Sequence, residues 1–101
     1  MSRTVRTLPL PAHYAPPWPV FVGDKQIANG RLTNPVVVFR IARALKAAGK
    51  YKPYTTDFGT EGQFWKNGRP NGAFIRPIAA RLRAGYNVVV GGVVTIKTRK
   101  V

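Results

Sequence analysis

The apolar positions of the chain fall into short runs, and the period of each run predicts an element. Val20-Phe21-Val22 is a strand signal, Gly23-Asp24 a turn, and Lys25-Gln26-Ile27-Ala28 a returning strand. Asn29-Gly30 reads as a second turn, so residues 20–32 are expected to form a β-hairpin and a turn into a helix. In that helix Val37, Val38, Ile41, Ala42, Leu45 and Ala48 gather on one side. Asn34 suits its N-cap, Pro35 its first position, and Gly49 the left-handed residue that ends it.

A second, shorter helix is expected with Pro77 in its first turn, because proline deep in a helix costs about 3 kcal/mol. Gly85 ends it, and Ile78, Ala79 and Leu82 face inward. Asn87-Val88-Val89-Val90, Gly91-Gly92 and Val93-Val94-Thr95-Ile96-Lys97 predict a second hairpin, since paired glycines permit the positive φ of a tight turn. Between the helices, Phe64-Trp65-Lys66 before Asn67-Gly68 looks like an aromatic strand entering a turn.

These elements predict a small single α+β domain. Two β-hairpins and the aromatic strand would form a small sheet covered by the core faces of two short helices. A winged helix with 86–98 as the wing is the alternative, but no recognition-helix signature accompanies it. Residues 1–19 form a separate proline-rich arm, with five of the nine prolines, and residues 20–101 the basic domain. The arm reads as extended, with Tyr14 and Trp18 as anchors against the domain or a neighbouring subunit, and with Arg3 and Arg6 near its tip. A free, unstructured tail is the competing reading. A weak echo links Asn29-Gly30-Arg31 and the first helix with Asn67-Gly68-Arg69 and the second.

Charge sharpens the picture. Of 101 residues, 17 are Lys or Arg and three are acidic, for a formal net charge of +14. The acids are Asp24, Asp57 and Glu61. From Lys25 to Thr56 there are seven cations and no acid, and from Gly62 to Val101 eight cations and no acid. Few of these cations have an internal ion-pair partner to find, and a polyanion relieves the resulting self-repulsion. Nucleic acid, DNA or RNA, is therefore the expected partner. Membrane binding would call for a long amphipathic helix, and no run of about 20 apolar residues predicts a span. The expected location is the cytoplasm or a nucleoprotein particle, without secretion.

On the first helix Arg40, Arg43 and Lys46 lie opposite the core side, followed by Lys50 and Lys52. Phe39 and Val36 fall among these basic positions. Phe39 either packs against the arm or a subunit, or stacks on an exposed base. Residues 50–69 interleave Tyr51, Tyr54, Phe58, Phe64 and Trp65 with Lys66, Arg69 and glycines. Phe58, Phe64 and Trp65 are expected to close the core, and Tyr51 and Tyr54 to stay at the surface, where aromatic planes stack on bases beside phosphate-binding cations. Arg76, Arg81 and Arg83 on the second helix form another basic cluster.

The inventory excludes much chemistry. With no cysteine there is no disulfide scaffold and no thiolate site, and the lone His13 makes no metal centre of the usual kind. Ser2 is the only serine, which argues against a Ser–His–Asp arrangement, and no phosphate-loop spacing occurs. A metal-free ribonuclease built from Glu61 or Asp57, His13 and an arginine has the inventory but no supporting spacing. The expectation is a non-enzymatic nucleic-acid-binding protein without cofactor. The alternative is a structural component of a nucleoprotein assembly whose arm docks on a protein partner or a second copy.

Overall fold

A computed structural model describes residues 16–98. Most of the arm, with Arg3, Arg6, His13 and Tyr14, and the basic end Arg99-Lys100-Val101 lie outside the described residues. Strands β1 (Trp18–Val22) and β2 (Lys25–Gly30) form the first hairpin about Gly23-Asp24. Strands β7 (Val88–Val90) and β8 (Val94–Ile96) form the second, about a turn in which Gly91 and Gly92 have φ of +62° and +72°. The hairpins join through β1 and β8, pairing Val20 with Ile96, Phe21 with Thr95 and Val22 with Val94. The result is an antiparallel four-stranded sheet of order β2-β1-β8-β7. Trp18 and Pro19, grouped with the arm by their proline content, are the first residues of β1.

Asn29-Gly30 is not a turn. It continues β2, with Gly30 opposite Trp18 and Asn29 opposite Pro19. Gly30 has φ +154°, and a Cβ there would sit 3.1 Å from Val37 Cγ2. Glycine is favoured by this positive φ and by the close approach of strand and helix, not because the chain reverses.

Helix α1 (Pro35–Ala47) begins where Asn34 accepts the Val36 N–H at 2.8 Å. Gly49 at φ +79° ends it in a Schellman motif, with Lys50 N–H donating to Leu45 O and Gly49 N–H to Lys46 O. Val37, Val38, Ile41 and Leu45 are buried, Ala42 is half-buried, and Ala48 is exposed past the helix end. Helix α2 (Gly72–Arg83) starts earlier than the proline rule implies. Asn71 caps it by accepting from Ala73 N–H, and the early start buries Phe74 and Ile75. Pro77 is tolerated at the sixth helical position because those two core residues and the cap outweigh one missing N–H. Gly85 closes α2 as Gly49 closes α1, with Tyr86 N–H donating to Arg81 O and Gly85 N–H to Leu82 O.

Ile41, Leu45, Ile78, Leu82, Val20, Val88, Val90, Val94 and Ile96 are fully buried in one core cluster, and each large aliphatic contributes roughly 1.5–3 kcal/mol by burial. The aromatic strand does not join the main sheet. β5 (Trp65–Lys66) pairs only with β6 (Arg69–Pro70), because Asn67 (φ +57°) and Gly68 (φ +74°) reverse the chain at once. β3 (Tyr54–Thr55) and β4 (Glu61–Gly62) make another two-residue ladder. It is tied to β7 by a Thr56–Val90 bridge and by Asp57, whose N–H donates to Val89 O and whose carboxylate accepts the Val89 N–H. The two Asn-Gly-Arg segments therefore sit in different structures, one in a strand and one in a turn, and the sequence echo is not a structural repeat there.

Candidate nucleic-acid interface

The outer surface of α1 carries the principal basic face. Val36, Phe39, Arg40, Arg43, Lys46 and Ala47 are all exposed, at the spacing that keeps side chains on one helical side. Phe39, Ala42, Arg43, Lys46, Ala47 and Tyr51 line one open groove of about 690 Å³. Phe39 and Ala42 also line an adjoining apolar groove of about 490 Å³ that ends on Trp65. Arg40 and Arg43 border a third, beside Lys25 on β2. Arg40 is anchored there, its guanidinium donating to Ile27 O at 3.2 Å.

Phe39 is 60% exposed and Tyr51 69% exposed, which is unusual for rings that could have joined a core. The Arg43 guanidinium lies 5.8 Å from the Phe39 ring centroid. Tyr51 follows the helix's C-cap, where the Gly49 reversal turns the chain back towards Lys46 and Ala47. Lys50 and Lys52 flank it and are exposed, and the Lys50 stem packs near the Gly91 turn.

The other expected residues separate. Tyr54 does not share the exposure of Tyr51. Its ring is half-buried, 6.1 Å from Phe64, which itself meets Phe74 edge-on at 5.0 Å. Phe64 is a core residue, and Phe58 and Trp65 pack against the core while staying partly accessible. Lys66 and Arg69 face each other in register across the β5–β6 turn and are exposed.

The expected cluster of Arg76, Arg81 and Arg83 is split. Arg81 lies 4.9 Å from the Phe58 centroid and 4.7 Å from that of Tyr86, with its Nε buried and unpartnered. It serves as a packed cation between aromatic rings. Arg76 and Arg83 instead border a recess that also receives Arg31. Arg31 is absent from the residues expected from sequence, because it stands in the loop before α1 and no helical periodicity flags it. Among the described residues no group of three His, Cys, Asp or Glu is placed to hold a metal ion, and no helix is long and apolar enough to cross a membrane.

The chain matches no family model, and comparison with curated proteins and with solved structures finds no significant match.

Proposed function

We propose that the protein is a non-enzymatic nucleic-acid-binding protein that engages the phosphate backbone through the basic face of α1. The observation that carries this reading is the groove in which exposed Phe39 and Tyr51 rings flank Arg43 and Lys46 with no acid among its lining residues. Cations at that spacing neutralise successive phosphates, and the rings offer planes on which bases stack. Arg40, Lys50, Lys52, Lys66 and Arg69 extend the positive field around it. The deciding experiment is a binding titration against salt. Affinity falls steeply, with a log–log slope near −0.9 per phosphate on duplex or about −0.7 on single strands. Weak binding that stays flat across salt concentrations overturns the proposal.

The apolar groove along Pro35, Val36, Phe39 and Trp65 favours a second reading, a component of a nucleoprotein assembly. Nucleic acid would occupy the basic groove while a protein neighbour covers the apolar one. Light scattering of the protein with and without nucleic acid separates the two, because the assembly reading requires a complex holding more than one protein chain.

A further inference from the structure

We infer that the recess between the β2–α1 loop and the outer side of α2 is a phosphomonoester site that holds a terminal phosphate of a nucleic-acid strand. The inference rests on the nucleic-acid reading above and adds where a strand end is bound. The recess has a volume of about 360 Å³ and is lined by Arg31, Arg76 and Arg83 over apolar Leu32 and Ile75. Arg76 and Arg83 are seven residues apart on α2, two helical turns along one side, and Arg31 arrives from the facing loop. None of the chain's three carboxylates lines it.

Two further features mark the site as short of an anion. Trp18 lines the wall at 3% exposure, and its buried indole N–H has no hydrogen-bond acceptor. Buried donors are ordinarily satisfied, and this one is left without an acceptor in a residue that lines the recess. The Arg83 guanidinium lies 5.7 Å from the Trp18 ring centroid. Arg76 in turn folds over the first turn of α2, where its guanidinium atoms would lie 2.7–3.2 Å from a Cβ placed on Gly72. That turn contains no acidic residue, and the N-terminal end of a helix is itself positive. A cation held there, in a recess that Arg31 and Arg83 also line and no carboxylate does, is unfavourable until an anion enters.

The chemistry selects a phosphomonoester over a diester. Three guanidiniums favour the more highly charged group and offer several donors to its oxygens. A recess with an apolar floor also admits the end of a strand, whereas the open α1 groove suits its continuous middle.

The test titrates the full chain with one short single-stranded oligonucleotide in three forms: 5′-phosphorylated, 3′-phosphorylated and hydroxyl at both ends. One phosphorylated form should bind about tenfold more tightly than the hydroxyl form, and inorganic phosphate should erase the gain. Arg76→Gln and Arg83→Gln should each abolish it. Gly72→Ala, which leaves the net charge unchanged but displaces the Arg76 guanidinium, should diminish it. Lys25→Gln, which removes one charge outside the recess, should preserve it. Equal affinity for all three forms overturns the recess and leaves the nucleic-acid reading standing. A gain that survives both arginine substitutions overturns the site assignment. If no oligonucleotide binds, but inorganic phosphate raises the melting temperature of the wild type and not of Arg76→Gln, the recess stands and the nucleic-acid reading falls.

Discussion

The Arg43 guanidinium stands 5.8 Å from the centroid of the Phe39 ring, four residues away on the exposed side of α1. The spacing brings cation and ring together without help from the core, and both remain open to solvent. A ring on the water-facing side of a helix adds little to folding, so its effect should appear in binding. Phe39→Ala should weaken binding to a single-stranded oligonucleotide by about 1–3 kcal/mol and leave the salt slope unchanged. Arg43→Gln should weaken binding and also reduce the slope by about 0.7 on single strands or 0.9 on duplex. Fluorescence anisotropy at several salt concentrations separates the two effects. A Phe39→Ala protein with unchanged affinity would remove the ring from the interface.

Arg81 tests the opposite assignment. Packed near Phe58 and Tyr86, it should matter for stability rather than for phosphate contact. Arg81→Gln removes the charge and with it the cation held between the two rings. It should cost roughly 0.5–2 kcal/mol in urea unfolding, with the salt slope of binding unaltered. A lower slope with unchanged stability would return Arg81 to the interface.

The difference between Arg81 and Arg43 marks what the sequence could and could not reveal. Periodicity located both helices and the buried faces of α1, because the 3.6-residue repeat of Val37, Ile41 and Leu45 is a one-dimensional signal. Gly23-Asp24, Gly91-Gly92 and Asn67-Gly68 were legible because tight turns demand positive φ locally. Asn29-Gly30 misled for the same reason. Its glycine serves a positive φ at the end of a strand and a contact with Val37 in another element, and sequence spacing does not carry that contact. The start of α2 was hidden because Pro77 is a strong local signal, and the burial of Phe74 and Ile75 that overrides it is tertiary. The exposed α1 face was legible as a stripe. The Arg31–Arg76–Arg83 recess was not, because it joins a loop to a helix more than forty positions further on.

The second hairpin's glycines give a sharp comparison. A Cβ on Gly91 would lie 2.7 Å from Leu45 Cδ2, whereas one on Gly92 would meet nothing within 4 Å. Both residues have positive φ, so each alanine substitution costs about 1–2 kcal/mol in backbone strain. Gly91→Ala should cost roughly a further 1–3 kcal/mol, because Leu45 is fully buried and has little room to retreat. Equal unfolding midpoints for the two variants would mean that the β7–β8 turn does not press on α1.

The N-caps make a parallel pair. Asn34 accepts one N–H at an exposed helix start, and its loss should cost about 1 kcal/mol. Asn71 caps α2 and also donates from its side-chain amide to Gln63 O at 2.9 Å, joining the helix to the segment before β5. Asn71→Ala should therefore cost about 1 kcal/mol more than Asn34→Ala, the value of one added hydrogen bond. Denaturant titrations of the two single variants suffice, and equal losses would mean that the Gln63 link contributes nothing.

The excess charge should itself be visible in the free protein. A net charge of +14 on 101 residues opposes compaction, and the repulsion is screened within about 10 Å at 0.1 M salt. The melting temperature should therefore rise as sodium chloride increases from about 10 mM to 100 mM, by several degrees if about 1 kcal/mol is recovered. Phosphate at matched ionic strength should raise it further, because an ion that binds only the folded state stabilises it by mass action. Arg76→Gln and Arg83→Gln should remove that extra rise while keeping the chloride response, since fifteen or more cations still repel one another. Screening and specific binding thus separate in one set of melting curves. If phosphate and chloride prove indistinguishable at matched ionic strength, the positive charge acts only as a diffuse field and the recess holds no anion.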